Sequence, residues 1–179
     1  MNSIEELSCY LSDSSIESIR GLANMAEQPT LIICGKECKP ARRVLNIGAS
    51  YYYKSCPHLD WNDSTCFLKE FAPEANQCLI NVYVNINSNI GWHCDKINNL
   101  KSSDVVSISL AKNQEDVGKT LAYMEFRQGT KGKSFLRIPL IHGTCVKFDA
   151  IRHSKENIYH RVAKTEFPRI NLTFRDLSS

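Results

Sequence analysis

A chain of 179 residues, 42% hydrophobic and 23% charged, has the size and balance of one soluble globular domain with a sizeable core. Its longest apolar runs, such as Leu31-Ile32-Ile33-Cys34, are far too short to span a bilayer, and the N-terminus MNSIEELSCYL carries acids where a signal peptide needs bases. No membrane partner and no export are therefore expected; the reading is cytoplasmic, or nuclear in a eukaryote, and the +3 net charge permits a polyanionic partner without demanding one.

Two helices open the chain in this reading. The first covers residues 3–12 behind a Ser3-x-x-Glu6 capping box; the second covers 14–26, with Ile16, Ile19, Leu22 and Met25 at helical spacing. An irregular stretch rich in Cys, Pro, Tyr and Asn follows from about 28 to 77. The eight cysteines, at 9, 34, 38, 56, 66, 78, 94 and 145, form no CxxC pair and no zinc-finger spacing, so reduced and mostly buried thiols are expected.

From residue 79 the pattern changes to short strands every 8 to 12 residues: LINVYVNI, IGWHCD, VVSISLA, LAYMEFR, FLRIPLI, CVKFDA, IYHRVAK and RINLTFRDL. That strand count matches a jelly-roll, and no helices alternate with the strands as a βαβ sheet requires. The expected fold is mainly β with N-terminal helices (α+β). Residues 1–77 would carry the helices and a substrate-covering region, and 78–179 the jelly-roll core, within one compact domain.

His93 and Asp95 are two apart in an expected strand, so both side chains leave one face with Cα atoms about 7 Å apart, while Trp92 and Cys94 face away. Such a pair supplies two adjacent ligands to a metal. A second histidine from a distant strand would complete a two-His-one-carboxylate triad, which leaves open positions on Fe(II). Alone, His-x-Asp is a weak signal. The last strand adds weight, because alternation puts Arg169, Asn171, Thr173 and Arg175 on one face and Ile170, Leu172 and Phe174 on the other. Two inward guanidinium groups need anions, and a small dicarboxylate suits them. Asn81 and Tyr83 share a face just upstream and could donate to the same anion.

Asn81-x-Tyr83, Trp92-His93-x-Asp95-Lys96, Ser107-Ile108-Ser109-Leu110, Tyr159-His160 and Arg169-x-Asn171-x-Thr173-Phe174-Arg175 follow the order and approximate spacing of AlkB-type dioxygenases, which the chain resembles over residues 40–177. The resemblance implies a double-stranded β-helix core with a nucleotide-recognition-type N-terminal extension. It implies Fe(II) held by His93, Asp95 and His160, with His153 the competitor for the last place, and 2-oxoglutarate and O2 as cosubstrates. Arg169 would take the distal carboxylate of 2-oxoglutarate with Tyr83 assisting, and Arg175, Asn81 and Asn171 would hold the rest. The family's extension lies over a flipped base, and Tyr51, Tyr52, Tyr53 and Trp61, with Arg42 and Arg43 upstream, occupy the corresponding region. Some bacterial members carry an acid two positions after the metal-binding Asp, where this chain has Ile97, which leaves base selectivity open. The implied activity is oxidative demethylation of N-alkylated bases in single-stranded or locally opened DNA or RNA by a monomer, releasing formaldehyde, succinate and CO2. The alternatives are the same oxygenation of a protein side chain, or a cupin-like metal-binding module without turnover.

Overall fold

A computed structural model describes residues 3–33, 36–50, 55–85, 88–95 and 97–178. The strands expected after residue 79 all form. They are β6 (Gln77–Tyr83), β7 (Ile90–His93), β8 (Asp104–Ala111), β9 (Ala122–Gln128), β10 (Ser134–Leu140), β11 (Thr144–Asp149), β12 (Ile158–Val162) and β13 (Arg169–Arg175). Earlier in the chain lie β1 (Ile4–Ser8), α1 (Asp13–Asn24), β2 (Leu31–Ile33), β3 (Lys36–Cys38), β4 (Arg42–Gly48) and β5 (His58–Leu59); α2 (Ala150–Lys155) links β11 to β12. A seven-stranded sheet runs β1-β11-β8-β13-β6-β4-β5, a four-stranded sheet runs β10-β9-β12-β7, and β2 and β3 form a separate ribbon. The architecture is mainly β, two-sheeted and jelly-roll-like, with few helices. No described helix is long and apolar enough to cross a membrane.

The first expected helix is corrected to strand β1. Ser3 does not cap: its hydroxyl meets His153 Nε2 at 3.2 Å and its carbonyl accepts from the Asp149 amide. The backbone from Ile4 to Ser8 pairs with the edge of β11, and this tertiary pairing outweighs a weak local helix signal. The second helix stands close to its expected bounds. Ser12 caps it by accepting from the Ser15 amide at 3.1 Å, and Ile19, Leu22 and Ala23 are its buried residues. Strand β4 was hidden in the stretch read as irregular, yet it pairs along its full length with β6.

The seven-stranded sheet is covered on both faces, so every residue of β6 and β13 is buried. One face carries Leu45, Ile47, Ile80, Val82, Ile170, Leu172 and Phe174 against α1. Burying one such side chain contributes roughly 1.5–3 kcal/mol. Between the two sheets lies a second cluster: Val105, Val146 and Phe148 from the large sheet, and Met124, Phe126, Ile138, Leu140 and Ile158 from the small one. The polar face of β13 points into the same intersheet space, toward a cavity of about 460 Å³.

Candidate active site

Strand register builds both walls of the cavity. On the small sheet, one row joins Phe126 of β9, His160 of β12 and His93 of β7. The two imidazoles thus stand side by side, ring centroids 4.2 Å apart. Asp95, just beyond the end of β7, approaches His160 Nε2 with its Oδ2 at 3.9 Å. One ligand atom from each of His93, Asp95 and His160 lies within 4.8 Å of the others, a cluster able to hold a metal ion. His153, the competitor, is elsewhere: it belongs to α2, is buried, and stacks on Phe148 at 5.3 Å with the rings nearly parallel.

The protonation states suit ligands. His93 Nδ1 lies 2.8 Å from the Gly91 carbonyl, which can only accept, so Nδ1 is the donor there and Nε2 is the nitrogen left to meet a metal. Burial pushes His160 down to about 3, with His93 adding to the shift and Asp95 opposing it, so the imidazole is neutral. Burial would raise the Asp95 carboxyl, but the Arg175 guanidinium at 2.8 Å, helped by the two imidazoles, holds it well below the usual carboxylate range. Oδ1 is taken by Arg175, while Oδ2 has no hydrogen-bond partner among the described residues.

The opposite wall comes from the large sheet, whose strands β4, β6, β13 and β8 align residues in rows. The first row holds Arg42, Tyr83, Arg169 and Ala111; the next holds Val44, Asn81, Asn171 and Ser109. Asn81, Asn171, Thr173 and Arg175 line the cavity, and so does Arg42. Asn171 donates to Ser107 Oγ at 2.8 Å and to the Ile108 carbonyl at 3.0 Å, and accepts from Thr173 Oγ1 at 2.8 Å, which fixes its amide. Tyr83 and Arg169 share the row of Arg42 but are not themselves among the lining residues. Both are fully buried, with the Arg169 guanidinium 3.8 Å from the Tyr83 ring centroid. Arg169 reaches Ser109 Oγ only at 3.5 Å, and its Nε and Nη2 have no hydrogen-bond partner among the described residues. No carboxylate among those residues pairs with it. A buried, uncompensated guanidinium is costly, and an anionic ligand is what would satisfy it.

Of the residues expected over a substrate, the described ones, Trp61, Arg42 and Arg43, do not form one group. Tyr51, Tyr52 and Tyr53 lie outside the described residues, as does the side chain of Ile97. Trp61 is not among the residues lining the cavity: its indole N–H donates to the Asn76 carbonyl at 2.8 Å, it packs against the core that α1 covers, and only a glycine fits next to it at position 48. Arg43 belongs to the opposite face of β4 from Arg42, paired in register with Val82. Arg42 sits inside the molecule, 8% exposed, with Nε donating to Asn81 Oδ1 at 3.1 Å. Sequence reasoning missed this placement, although Arg42, Val44 and Asn46 alternate with Arg43, Leu45 and Ile47 between Pro40 and Gly48, which is a strand signal.

A family model described as the 2OG-Fe(II) oxygenase superfamily matches residues 52–175. No curated protein matches the chain by sequence. Among solved structures, the fold is similar to OsALKBH1, an AlkB homologue (TM-score 0.65, 17% identity, 97% of this chain and 96% of that one). It is also similar to an oxidoreductase of the 2OG-Fe(II) oxygenase family from Burkholderia pseudomallei (0.61, 15%, 97% and 84%) and to a prolyl-4-hydroxylase from Pseudomonas putida (0.53, 12%, 97% and 92%). Family model and AlkB-homologue fold agree with the AlkB-type motifs. The family uses Fe(II), 2-oxoglutarate and O2, and the donor set of two imidazoles and one ionised carboxylate, with the unpartnered Nε and Nη2 of Arg169 on the opposite sheet, fits that requirement. On these grounds the chain belongs to the 2OG-Fe(II) oxygenase superfamily.

Proposed function

We propose that the protein demethylates N-alkylated bases in nucleic acid, with His93, Asp95 and His160 holding Fe(II). The observation that carries the reading is one cavity walled by the histidine row of the small sheet and the Arg175-Thr173-Asn171 face of β13, in the residue order of AlkB-type enzymes. Arg169 takes the distal carboxylate of 2-oxoglutarate beside Tyr83, and Asn81, Asn171 and Arg175 frame the remainder. Bound iron supplies the oxidising chemistry, coupling decarboxylation of 2-oxoglutarate to oxidation of the methyl group, which leaves as formaldehyde. The chain's own part is positional. Gly91 orients His93, Arg175 keeps Asp95 ionised, and burial keeps His160 neutral. Phe148, Met124 and Val162 give the cavity an apolar side that limits water near the metal. The β2–β3 ribbon brings Leu31 to the cavity and belongs, in this reading, to the cover over the substrate.

A second reading, hydroxylation of a protein side chain, draws on the likeness to a prolyl-4-hydroxylase. Incubating the Fe(II)-loaded enzyme with a panel of methylated DNA and RNA oligonucleotides, and in parallel with peptides, separates the two by mass spectrometry. Loss of the mass of one CH2 from an oligonucleotide, as N–CH3 becomes N–H, matched by succinate, supports base demethylation. Gain of one oxygen on a peptide, with every oligonucleotide unchanged, overturns it.

A further inference from the structure

The outer face of the four-stranded sheet, pointing away from the cavity, carries an uncommon concentration of cations and rings. By alternation β9 presents Tyr123, Glu125 and Arg127 there, β12 presents Tyr159 and Arg161, β10 presents Arg137, and β7 presents Trp92. Register sets Arg127 beside Tyr159, and sets Glu125 between Arg137 and Arg161. Glu125 pairs with both of those arginines, at 3.3 Å and 2.6 Å, and so holds them in place while neutralising only one of their charges. Arg127 is different. Its guanidinium carbon lies 4.2 Å from the Trp92 ring centroid, and no carboxylate among the described residues pairs with it. Arg161 also lies over Trp92, at 4.7 Å, and Arg137 covers Tyr123 at 3.6 Å. Exposed Lys131 and Lys133 occupy the adjoining β9–β10 turn, Lys164 follows β12, and Phe135, the extra residue of a bulge in β10, is 56% exposed.

The bland alternative is a solvated salt-bridge ladder. A ladder, however, would balance its charges, and this face sets three arginines against one glutamate, while its flanks add Lys131, Lys133 and Lys164 against Glu156 and Glu166. It also sets two guanidinium groups over the ring of Trp92, an arrangement that attracts both cations without discharging them. Phosphodiesters satisfy guanidinium groups in pairs, and bases stack on aromatic or guanidinium planes. Trp92 is also among the residues lining the cavity, so the face and the cavity meet at β7.

We infer that this outer face is a docking track for single-stranded nucleic acid, whose phosphates engage Arg127, Arg137 and Arg161 while the strand delivers one base over β7 to the cavity. The inference rests on the base-demethylase reading and names where that substrate's backbone lies.

The test is fluorescence polarisation of labelled, unmodified single-stranded DNA and RNA across a salt series. It compares the parent, an Arg127→Gln/Arg137→Gln variant, and a Lys101→Gln/Lys112→Gln variant that removes the same charge from the two ends of β8 in the other sheet. The arginine variant should bind at least about tenfold more weakly at low salt, and its log-affinity-against-log-salt slope should be shallower by about 1.4, roughly 0.7 for each phosphate no longer neutralised. The lysine variant should stay near the parent, and equal Mn(II) affinity and melting temperature in all three proteins would show that the fold is kept. Equal losses in the two variants would overturn the track while leaving base demethylation standing, provided the parent still reverts methylated oligonucleotides. Polyglutamate competing as well as the oligonucleotide at matched charge would overturn it in favour of an acidic protein partner. A parent that neither binds nor demethylates any oligonucleotide would remove the underlying reading as well.

Discussion

Replacing Asp95 with Asn should destabilise the metal-free protein far more than an isosteric change does at a surface. The side chains of Asp95 and Arg175 are only 3% and 8% exposed, and Arg175 Nη2 sits 2.8 Å from Asp95 Oδ1. Removing the charge from one member leaves the other's charge in a desolvated site, which costs about 3–5 kcal/mol for a buried pair. In a protein of this size each kcal/mol shifts Tm by about 2–4 °C, so a drop of roughly 6–20 °C is expected. Replacing both residues, Asp95→Asn with Arg175→Met, removes both charges and should recover most of the loss, with a coupling of about 1–3 kcal/mol in a double-mutant cycle. The assay is urea unfolding of the four metal-free proteins at pH 7, with the m-value checked for constancy. If Asp95→Asn lies within about 1 kcal/mol of the parent, or the double variant loses the sum of the two singles, the pair is not the structural element argued here.

The remaining expectations concern ligands and pH. Arg169→Ala should weaken 2-oxoglutarate binding to the metal-loaded protein by about ten- to a hundredfold, the equivalent of about 1.5–3 kcal/mol for a charge-assisted contact, as read by calorimetry with the unreactive N-oxalyl analogue; unchanged affinity would remove Arg169 from the site. His153→Phe should leave metal affinity intact while His160→Ala abolishes it, because His153 packs on Phe148 and Phe126 outside the cluster. Burial depresses His160 to about 3 and also lowers His153. Between that range and the unfolded value of 6.5 the unfolded chain binds protons that the folded chain refuses. The stability this represents is therefore complete above pH 6.5 and falls as pH drops, by about 2 kcal/mol at pH 5 for His160 alone in metal-free protein. Urea midpoints that do not decline between pH 7 and pH 5 would contradict the assignment.

The part of the fold that could be read from sequence is the part where one face of each strand is apolar. β6 and β13 announce themselves by alternation, and that same parity places Asn171, Thr173 and Arg175 on the cavity wall. The histidine row was half visible: His93-x-Asp95 shows itself locally, whereas the pairing of His160 beside His93 depends on the β12–β7 register, which no local pattern encodes. β1 was misread because its identity comes from the open edge of β11 and not from its own residues. Arg42 was expected with Arg43 in the substrate-covering region, yet β4 carries it into the molecule beside Asn81. Trp61 shows a similar error, an aromatic ring expected over a ligand but taken up by the packing around Gly48 and Asn76.

The central claim is that His93, Asp95 and His160 form one metal centre that works together with a 2-oxoglutarate site on β13. Isothermal titration of the metal-free protein with Mn(II), a redox-silent substitute for Fe(II), tests it directly when run with and without 2-oxoglutarate. The account predicts a single equivalent of metal bound by the parent, tightened by 2-oxoglutarate, with Asp95→Ala and His160→Ala losing both the binding and the coupling. Parent-like Mn(II) binding in Asp95→Ala would contradict it.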